Sequence, residues 1–103
     1  TQVVPFPTDT SVPVVATYHE ALAAHAPDAE PGFVSLEGYL AGRLAVAGLE
    51  LCGRELDRQC FLESTLGAGV IDVDGFELRY GARDNQGSNA VFLTAISRNG
   101  AYV

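Results

Sequence analysis

The chain has 103 residues, enough for one small domain at most, and 48% of them are apolar, which excludes an intrinsically disordered protein. Its 13 carboxylates stand against six cations, all arginine, and the net charge is -7. A chain this acidic lacks the basic face that binds phosphate backbones, so no nucleic-acid partner is expected. No apolar run reaches the ~18 residues of a membrane span.

The first quarter of the chain predicts a short strand, a stiff connector and a helix. Gln2 to Val4 is typical of a strand that is already formed at the first residues, so we expect the chain to be a piece of a longer protein. Pro5-Phe6-Pro7 ends this strand, because two prolines fix φ and remove two backbone donors. Val12-Pro13 opens a helix that runs to about His25, with an apolar stripe formed by Val14, Tyr18 and Leu22.

The stretch from Phe33 to Gly53 predicts the central helix. Ser35 is a suitable N-cap, Glu37 would lie in the first turn, and Gly53 follows as the stop. One face carries an apolar stripe at helical spacing: Leu36, Leu40, Leu44, Ala47 and Leu51. A second face carries only small residues: Gly38, Ala41, Gly42, Ala45 and Gly48. Since glycine in a helix costs ~1 kcal/mol relative to alanine, we expect this face to press against another backbone, most simply a sheet.

A third helix and a hairpin follow the central helix. The helix runs from Arg58 to about Leu66, and Asp57 is a good N-cap for it. Apolar and polar residues then alternate from Ile71 to Tyr80, interrupted by a turn at Asp74-Gly75. This segment therefore predicts strands with one buried face.

The last residues predict a loop and further strands. Gly81 to Asn89 is polar and carries two glycines, and Ala90 to Ile96 is the most strand-like run of the chain. Asn99-Gly100 favours a two-residue hairpin turn, with Ala101 to Val103 as the return strand. The predicted order is β-α-α-α-β-β-β, and the fold class is α/β.

Cys52 and Cys60 lie at the end of the central helix and in the first turn of the next one. Such a corner can bring their Cα atoms within the ~4.4–6.8 Å that a disulfide needs. Two buried free thiols are the main alternative. A zinc site is poorly supported because both histidines lie on another helix, and the carboxylates of Asp57 and Glu63 disfavour a reactive thiolate.

No other set of residues favours catalysis or metal binding. His19 and His25 do not share a helix face, so we interpret both as structural or solvent-facing. Asp72 and Asp74 resemble a cation-binding pair only weakly, and a solvated turn explains them better. No phosphate-cradling glycine loop follows a strand. We therefore expect no enzyme, no metal and no cofactor.

Several segments together resemble the C-terminal third of periplasmic solute-binding proteins, in the family typified by the leucine/isoleucine/valine-binding protein of ABC importers. The most specific are the helix SLEGYLAGRL, the strand GFELRYG, and the loop and strand from DNQGS to VFLT. The resemblance follows the chain order and covers essentially the whole chain. It implies a fragment of the two-lobed type I periplasmic-binding-protein fold, which closes over a small ligand between its lobes.

The resemblance also assigns parts of the chain to the two lobes. Residues from about 8 to 87 would form helices and a strand of the N-terminal lobe, while residues 1–7 and 90–103 would form hinge and C-terminal-lobe strands. Two hinge crossings would lie at Pro5-Phe6-Pro7 and at Ser88-Asn89. The family's oxidising, extracytoplasmic location favours a Cys52–Cys60 disulfide.

Four residues are implied as ligand contacts. In leucine-binding members an aromatic residue stands against the ligand just before the central helix, and Phe33 matches that position. Ser35, Glu37 and Tyr39 at the helix start would open toward the cleft. The alternative is that Phe33 and Tyr39 belong to the core and that Glu37 only interacts favourably with the helix dipole.

The implied function is extracytoplasmic binding of a small polar solute, an amino acid or a similar compound, for delivery to an ABC permease. The family recognises the amino and carboxylate groups of its amino acid outside the part that this chain resembles, so the resemblance does not carry over the identity of the ligand. The location would be the periplasm or the extracellular face of the membrane. A ligand-binding sensory domain of a signalling protein or regulator is the alternative, and a small autonomous α/β interaction domain is a third. Since the helices would lack most of their sheet, we expect the fragment alone not to bind its ligand. We also expect it to be oligomeric or associated with the rest of its parent chain.

Overall fold

The computed structural model describes all of residues 1–103. Three helices, α1 (Pro13–His25), α2 (Phe33–Cys52) and α3 (Arg58–Gly67), precede an antiparallel pair of strands, β1 (Val70–Val73) and β2 (Phe76–Arg79). These elements confirm the predicted α/β class. They belong to two compact units, residues 1–37 with 90–103 and residues 38–89. None of the helices combines the length and apolar character that crossing a bilayer requires.

The first unit, residues 1–37 with 90–103, has its core around α1. This helix begins at Pro13, where a missing N–H costs nothing, and it ends at His25, as predicted. The buried apolar residues of this unit come from the first segment, from α1 and from the first turn of α2: Val4, Val14, Val15, Tyr18 and Leu36. Tyr18 is therefore a core residue with a polar group that needs partners.

The terminal segments of the first unit are extended but form only single bridges, where longer strands were predicted. Gln2 pairs with Phe92 through two backbone hydrogen bonds of 2.8 Å each. Pro5 follows closely and has no N–H, which helps to limit this pairing. Ile96 pairs with Tyr102, and the N–H of Ser97 donates to the carbonyl of Ala101 at 2.8 Å. The turn therefore contains three residues, Arg98 to Gly100, and the predicted two-residue turn at Asn99-Gly100 is wrong, although Gly100 does adopt a positive φ of 84°.

Helix α2 starts earlier than predicted. The backbone N–H of Leu36 donates to the carbonyl of Gly32 at 3.0 Å, so the helix begins at Phe33. The prediction that Ser35 caps the helix is therefore wrong, and Glu37 lies beyond the first turn. The predicted stop is confirmed, because Gly53 adopts a φ of 74° and donates its N–H to the carbonyl of Leu49 at 3.0 Å.

The small-residue face of α2 does not meet a sheet in residues 38–89. A Cβ added at Gly38 or Gly42 would meet no atom within 4 Å. At Gly48 it would collide with the side chains of Phe61 and Thr65, both on α3. The prediction of a close approach is thus correct at one glycine only, and the partner there is a helix rather than a strand.

The second unit, residues 38–89, contains α3 and the hairpin. Asp57 caps α3 as predicted, since its carboxylate accepts the backbone N–H of Cys60 at 2.7 Å. Asp74 and Gly75 have φ values of 49° and 86°, so a turn of type I′ joins β1 to β2. The buried apolar residues of this unit are Leu40, Ile71, Val73 and Leu78.

Candidate ligand-binding site

An open pocket of about 920 Å³ lies in the first unit, around the start of α2. Its lining comes from the N-terminal segment, the loop before α2, the first residues of α2 and the C-terminal hairpin. The lining residues are Gln2, Phe6, Pro7, Thr8, Glu30, Pro31, Gly32, Phe33, Val34, Ser35, Ala101 and Tyr102. The volume is that of a site for a small molecule.

Three aromatic rings meet in this pocket, with Phe33 in the middle. The ring centroids of Phe33 and Phe6 are 5.5 Å apart, and the two planes make an angle of 83°. On the other side, the centroids of Phe33 and Tyr102 are 5.3 Å apart at an angle of 75°. Both pairs have the edge-to-face geometry that aromatic rings prefer. Tyr102 remains 48% exposed, so the cluster borders the solvent.

A hydrogen-bond circuit fixes the loop that carries Phe33. The Ser35 hydroxyl donates to the carbonyl of Gly32 at 3.3 Å, and the Tyr18 hydroxyl is hydrogen-bonded to the Ser35 oxygen. The backbone N–H of Gly32 donates in turn to the Tyr18 oxygen at 3.2 Å. With one proton on each hydroxyl, this circuit is complete when Tyr18 donates to Ser35. Tyr18 on α1 thus fixes two positions at the start of α2: Gly32, just before the helix, and Ser35, in its first turn.

His19 holds the N-terminal segment of the pocket lining. Its Nε2 lies 2.7 Å from the carbonyl oxygen of Pro7. A carbonyl can only accept, so Nε2 carries the proton and donates it. Pro5 and Pro7 are buried, and Phe6 between them lines the pocket. The predicted hinge segment is therefore tied to α1 at this end.

The pocket lining contains a single charged side chain, and its charge is negative. Glu30 is the one carboxylate among the lining residues, and no arginine, lysine or histidine lines the pocket. The uncharged polar groups come from Gln2, Thr8 and Ser35, together with the Tyr102 hydroxyl. The site can therefore offer aromatic surface, hydroxyl and amide groups, and one negative charge.

Two of the four predicted ligand residues, Phe33 and Ser35, line this pocket. Glu37 is exposed and outside the lining. Tyr39 lies in the second unit, where its hydroxyl accepts from the guanidinium of Arg43 at 2.6 Å. Ligand contact by these residues stays a prediction.

The second predicted hinge, Ser88 and Asn89, borders a smaller polar pocket of about 340 Å³ within residues 38–89. The side-chain amide of Gln86 donates to the carbonyl of Ser88 at 3.2 Å and to Oδ1 of Asn89 at 2.9 Å. These contacts order the end of the DNQGS loop. The hinge role of both segments, Pro5-Phe6-Pro7 and Ser88-Asn89, also stays a prediction.

Sequence reasoning missed Tyr102 and Glu30 as pocket residues. The turn signal at Asn99-Gly100 correctly predicted that the chain reverses before Tyr102, but no local pattern shows that Tyr102 meets Phe33. Glu30 lies in a polar loop and carries no signal of its own. Tyr102 reaches the pocket through a tertiary contact with Phe33, whereas Glu30 borders it as part of the loop that leads into α2.

One ion pair of the second unit joins α2 to the hairpin turn. The Arg43 guanidinium lies 2.8 Å from the Asp74 carboxylate and 5.6 Å from the centroid of the Tyr39 ring. The hydrogen bond to Asp74, followed by the one to Tyr39, raises the pKa of Arg43 above its ordinary value. Because Arg43 connects α2 to the hairpin turn, we interpret the group as structural.

Cys52 and Cys60 form a disulfide, with Cα atoms 5.7 Å apart. The bond connects the end of α2 to the first turn of α3, and no free cysteine is left. No three residues of the His, Cys, Asp and Glu types lie together as metal ligands. The cysteines therefore act as a cross-link in this structure.

Two solved structures match nearly all of this chain. A possible leucine/isoleucine/valine-binding protein from Rhodopirellula baltica SH 1 is 31% identical, with a TM-score of 0.86, over 99% of this chain and 28% of its own. An extracellular ligand-binding receptor from Verminephrobacter eiseniae is 28% identical, with a TM-score of 0.84, over 99% of this chain and 29% of its own. The chain thus spans less than a third of either protein. No protein-family model matches the sequence, and no curated protein does.

Proposed function

Because the chain corresponds to the C-terminal part of a solute-binding protein of the leucine/isoleucine/valine-binding family, we propose that it serves extracytoplasmic binding of a small polar solute. The expected solute is an amino acid or a similar compound, which an ABC importer then receives. The location in this proposal is the periplasm or the extracellular face of the membrane. The role is binding rather than catalysis.

The observation that carries this proposal is the aromatic pocket at the start of α2. Phe33 was expected at the ligand from the resemblance alone, and it lies between Phe6 and Tyr102 in an open pocket of about 920 Å³. Aromatic surface with a few placed polar groups is the usual composition of a small-molecule site. The pocket would supply one wall of the site, and the rest of a receptor would supply the other.

Lobe closure is the proposed mechanism. Pro5-Phe6-Pro7 and Ser88-Asn89 would be hinge crossings, residues from about 8 to 87 would belong to the N-terminal lobe, and residues 1–7 and 90–103 would lead to the other lobe. A solute that contacts both walls favours the closed population by its extra affinity for that state. The closed receptor would then dock on its permease.

This proposal is tested with the gene product that carries residues 1–103, by isothermal titration calorimetry against a panel of amino acids and related polar solutes. We expect at least one solute to bind, and Phe33→Ala to weaken that binding about tenfold through loss of aromatic contact area. Leu56→Ala is the matched control, because Leu56 is an exposed apolar side chain between α2 and α3, outside the pocket. If no solute binds, or if both variants bind like the parent protein, the proposal is wrong.

Association with further polypeptide is a second part of the proposal. Large apolar side chains are exposed on α2 and on the C-terminal segment, among them Val34 at 85% and Leu93 at 85%. Such surface favours a partner or an oligomer. Light scattering on a sizing column would then give a mass above the 10.9 kDa of the single chain. A monomer that unfolds cooperatively would contradict this part.

A further inference from the structure

We propose that His19 is a positioning residue for solute binding. By donating its Nε2 proton to the carbonyl of Pro7, it keeps Phe6 against Phe33, so that this aromatic pair has its binding geometry before a solute arrives. The inference rests on the proposed function and adds to it a residue that lies outside the pocket lining.

The segment that carries Phe6 has few hydrogen bonds of its own. Pro5 and Pro7, on either side of Phe6, have no N–H and cannot donate one. The carbonyl of Phe6 accepts the N–H of Asp9 at 3.0 Å, but this bond only turns the segment onto itself. Burial of the two proline rings holds the segment to the core without direction. A directional contact with another element is what can set the orientation of Phe6.

His19 supplies such a contact from the middle of α1. Its Nε2 lies 2.7 Å from the carbonyl oxygen of Pro7, which is 12 positions away in the chain. The ring of His19 is itself held, because it meets the ring of the buried Tyr18 edge to face with the centroids 5.6 Å apart. The donor therefore comes from a helix whose neighbouring residue belongs to the core.

The effect of this bond reaches the pocket through Phe6. The rings of Phe6 and Phe33 both line the pocket, and their centroids are 5.5 Å apart in an edge-to-face pair. If the carbonyl of Pro7 is released, the Phe6 side chain gains freedom, and a solute has to order it again on binding. Ordering one side chain of this size weakens binding by about fivefold.

The first measurement is amide hydrogen exchange of the solute-free gene product that carries residues 1–103. His19→Leu removes the donor and keeps an apolar side chain of similar size. We expect the amide of Asp9 to exchange about fivefold faster in this variant, because its acceptor on Phe6 becomes mobile. His19→Gln keeps an N–H donor of similar reach and should exchange like the parent protein.

The second measurement is isothermal titration calorimetry with L-leucine, and with the rest of the amino-acid panel if leucine does not bind. The His19→Leu variant should bind about fivefold more weakly, and the His19→Gln variant should bind like the parent protein. Val15→Ala is the matched control, because Val15 is 0% exposed on the same helix and outside the lining. Its substitution lowers stability through a core cavity and should leave solute affinity unchanged.

The outcomes distinguish this inference from the function on which it rests. Faster exchange and weaker binding in His19→Leu, with both restored in His19→Gln, support the inference. Unchanged exchange or unchanged affinity in His19→Leu overturns it and leaves the proposed function standing. The same holds if His19→Gln or Val15→Ala binds as weakly as His19→Leu. If no compound of the panel binds to the parent protein, the proposed function is wrong and the inference fails with it.

Discussion

The disulfide between Cys52 and Cys60 gives the sharpest stability prediction. It closes a short loop, with a sequence separation of 8, between the end of α2 and the first turn of α3. Replacing both residues by alanine removes the cross-link without leaving a lone thiol. In the chain-entropy treatment a loop of this length stabilises the folded state by about 2.5 kcal/mol at 25 °C, because the cross-link restricts the unfolded chain.

The assay is equilibrium urea unfolding of the gene product that carries residues 1–103, followed by circular dichroism, with a fit of the free energy of unfolding. The oxidised chain should be more stable than the Cys52→Ala/Cys60→Ala variant by about 2.5 kcal/mol. Treating the original chain with a reductant should produce most of the same loss. The double variant is its own control, because a reductant should leave its unfolding curve unchanged.

Packing between α2 and α3 at the same corner could reduce the stability that the disulfide adds. The side chain of Phe61 packs over Gly48, so α2 and α3 remain in contact without the bond. If the double variant lies within about 1 kcal/mol of the oxidised chain, this packing already orders the corner in the unfolded ensemble, and the loop-entropy argument fails here.

Three further substitutions test individual contacts by the same unfolding measurement. Tyr18→Phe removes a buried hydroxyl from its bonds to Ser35 and Gly32 and should cost about 1–3 kcal/mol; an unchanged curve would mean that water replaces the hydroxyl. Gly75→Ala forces a side chain to a φ of 86° and should cost about 1–2 kcal/mol. Thr65→Val removes the buried Oγ1, which has no hydrogen-bond partner, and should stabilise the chain by about 1 kcal/mol; a loss of stability would show that the hydroxyl has a partner in solution.

Helix positions and turns could be predicted from the sequence because their causes are local. Proline at position 13 and glycine at position 53 mark the ends of α1 and α2, and Asp57 caps α3 through its own side chain. The turn at Asp74-Gly75 follows from two residues that tolerate positive φ. In each case the decisive interaction spans four residues or fewer.

The start of α2 shows where local reasoning stops. Serine is a preferred N-cap, so Ser35 was the natural choice, but the carbonyl of Gly32 accepts the first helical bond and the helix begins at Phe33. Ser35 is bonded instead to Tyr18, which lies on another helix. A tertiary contact thus redirects a side chain that the local rule would assign to capping.

Of the three aromatic residues of the candidate site, only the central one, Phe33, could be predicted. The resemblance identified Phe33, but Tyr102 reaches the pocket because the C-terminal hairpin folds onto the start of α2. The small-residue face of α2 gave a general expectation of close packing, and only Gly48 meets a neighbour. Which surfaces meet depends on the whole fold, and spacing along one helix does not contain that information.

The wall of the pocket is largely rigid before any solute arrives, and this has a kinetic consequence. Pro5 and Pro7 have fixed φ angles, His19 holds the carbonyl of Pro7, and Tyr18 holds both sides of the α2 start. A solute therefore orders few side chains at this wall when it binds. Association rates should then differ little from one solute to another, and discrimination among solutes should lie in how long each one stays bound.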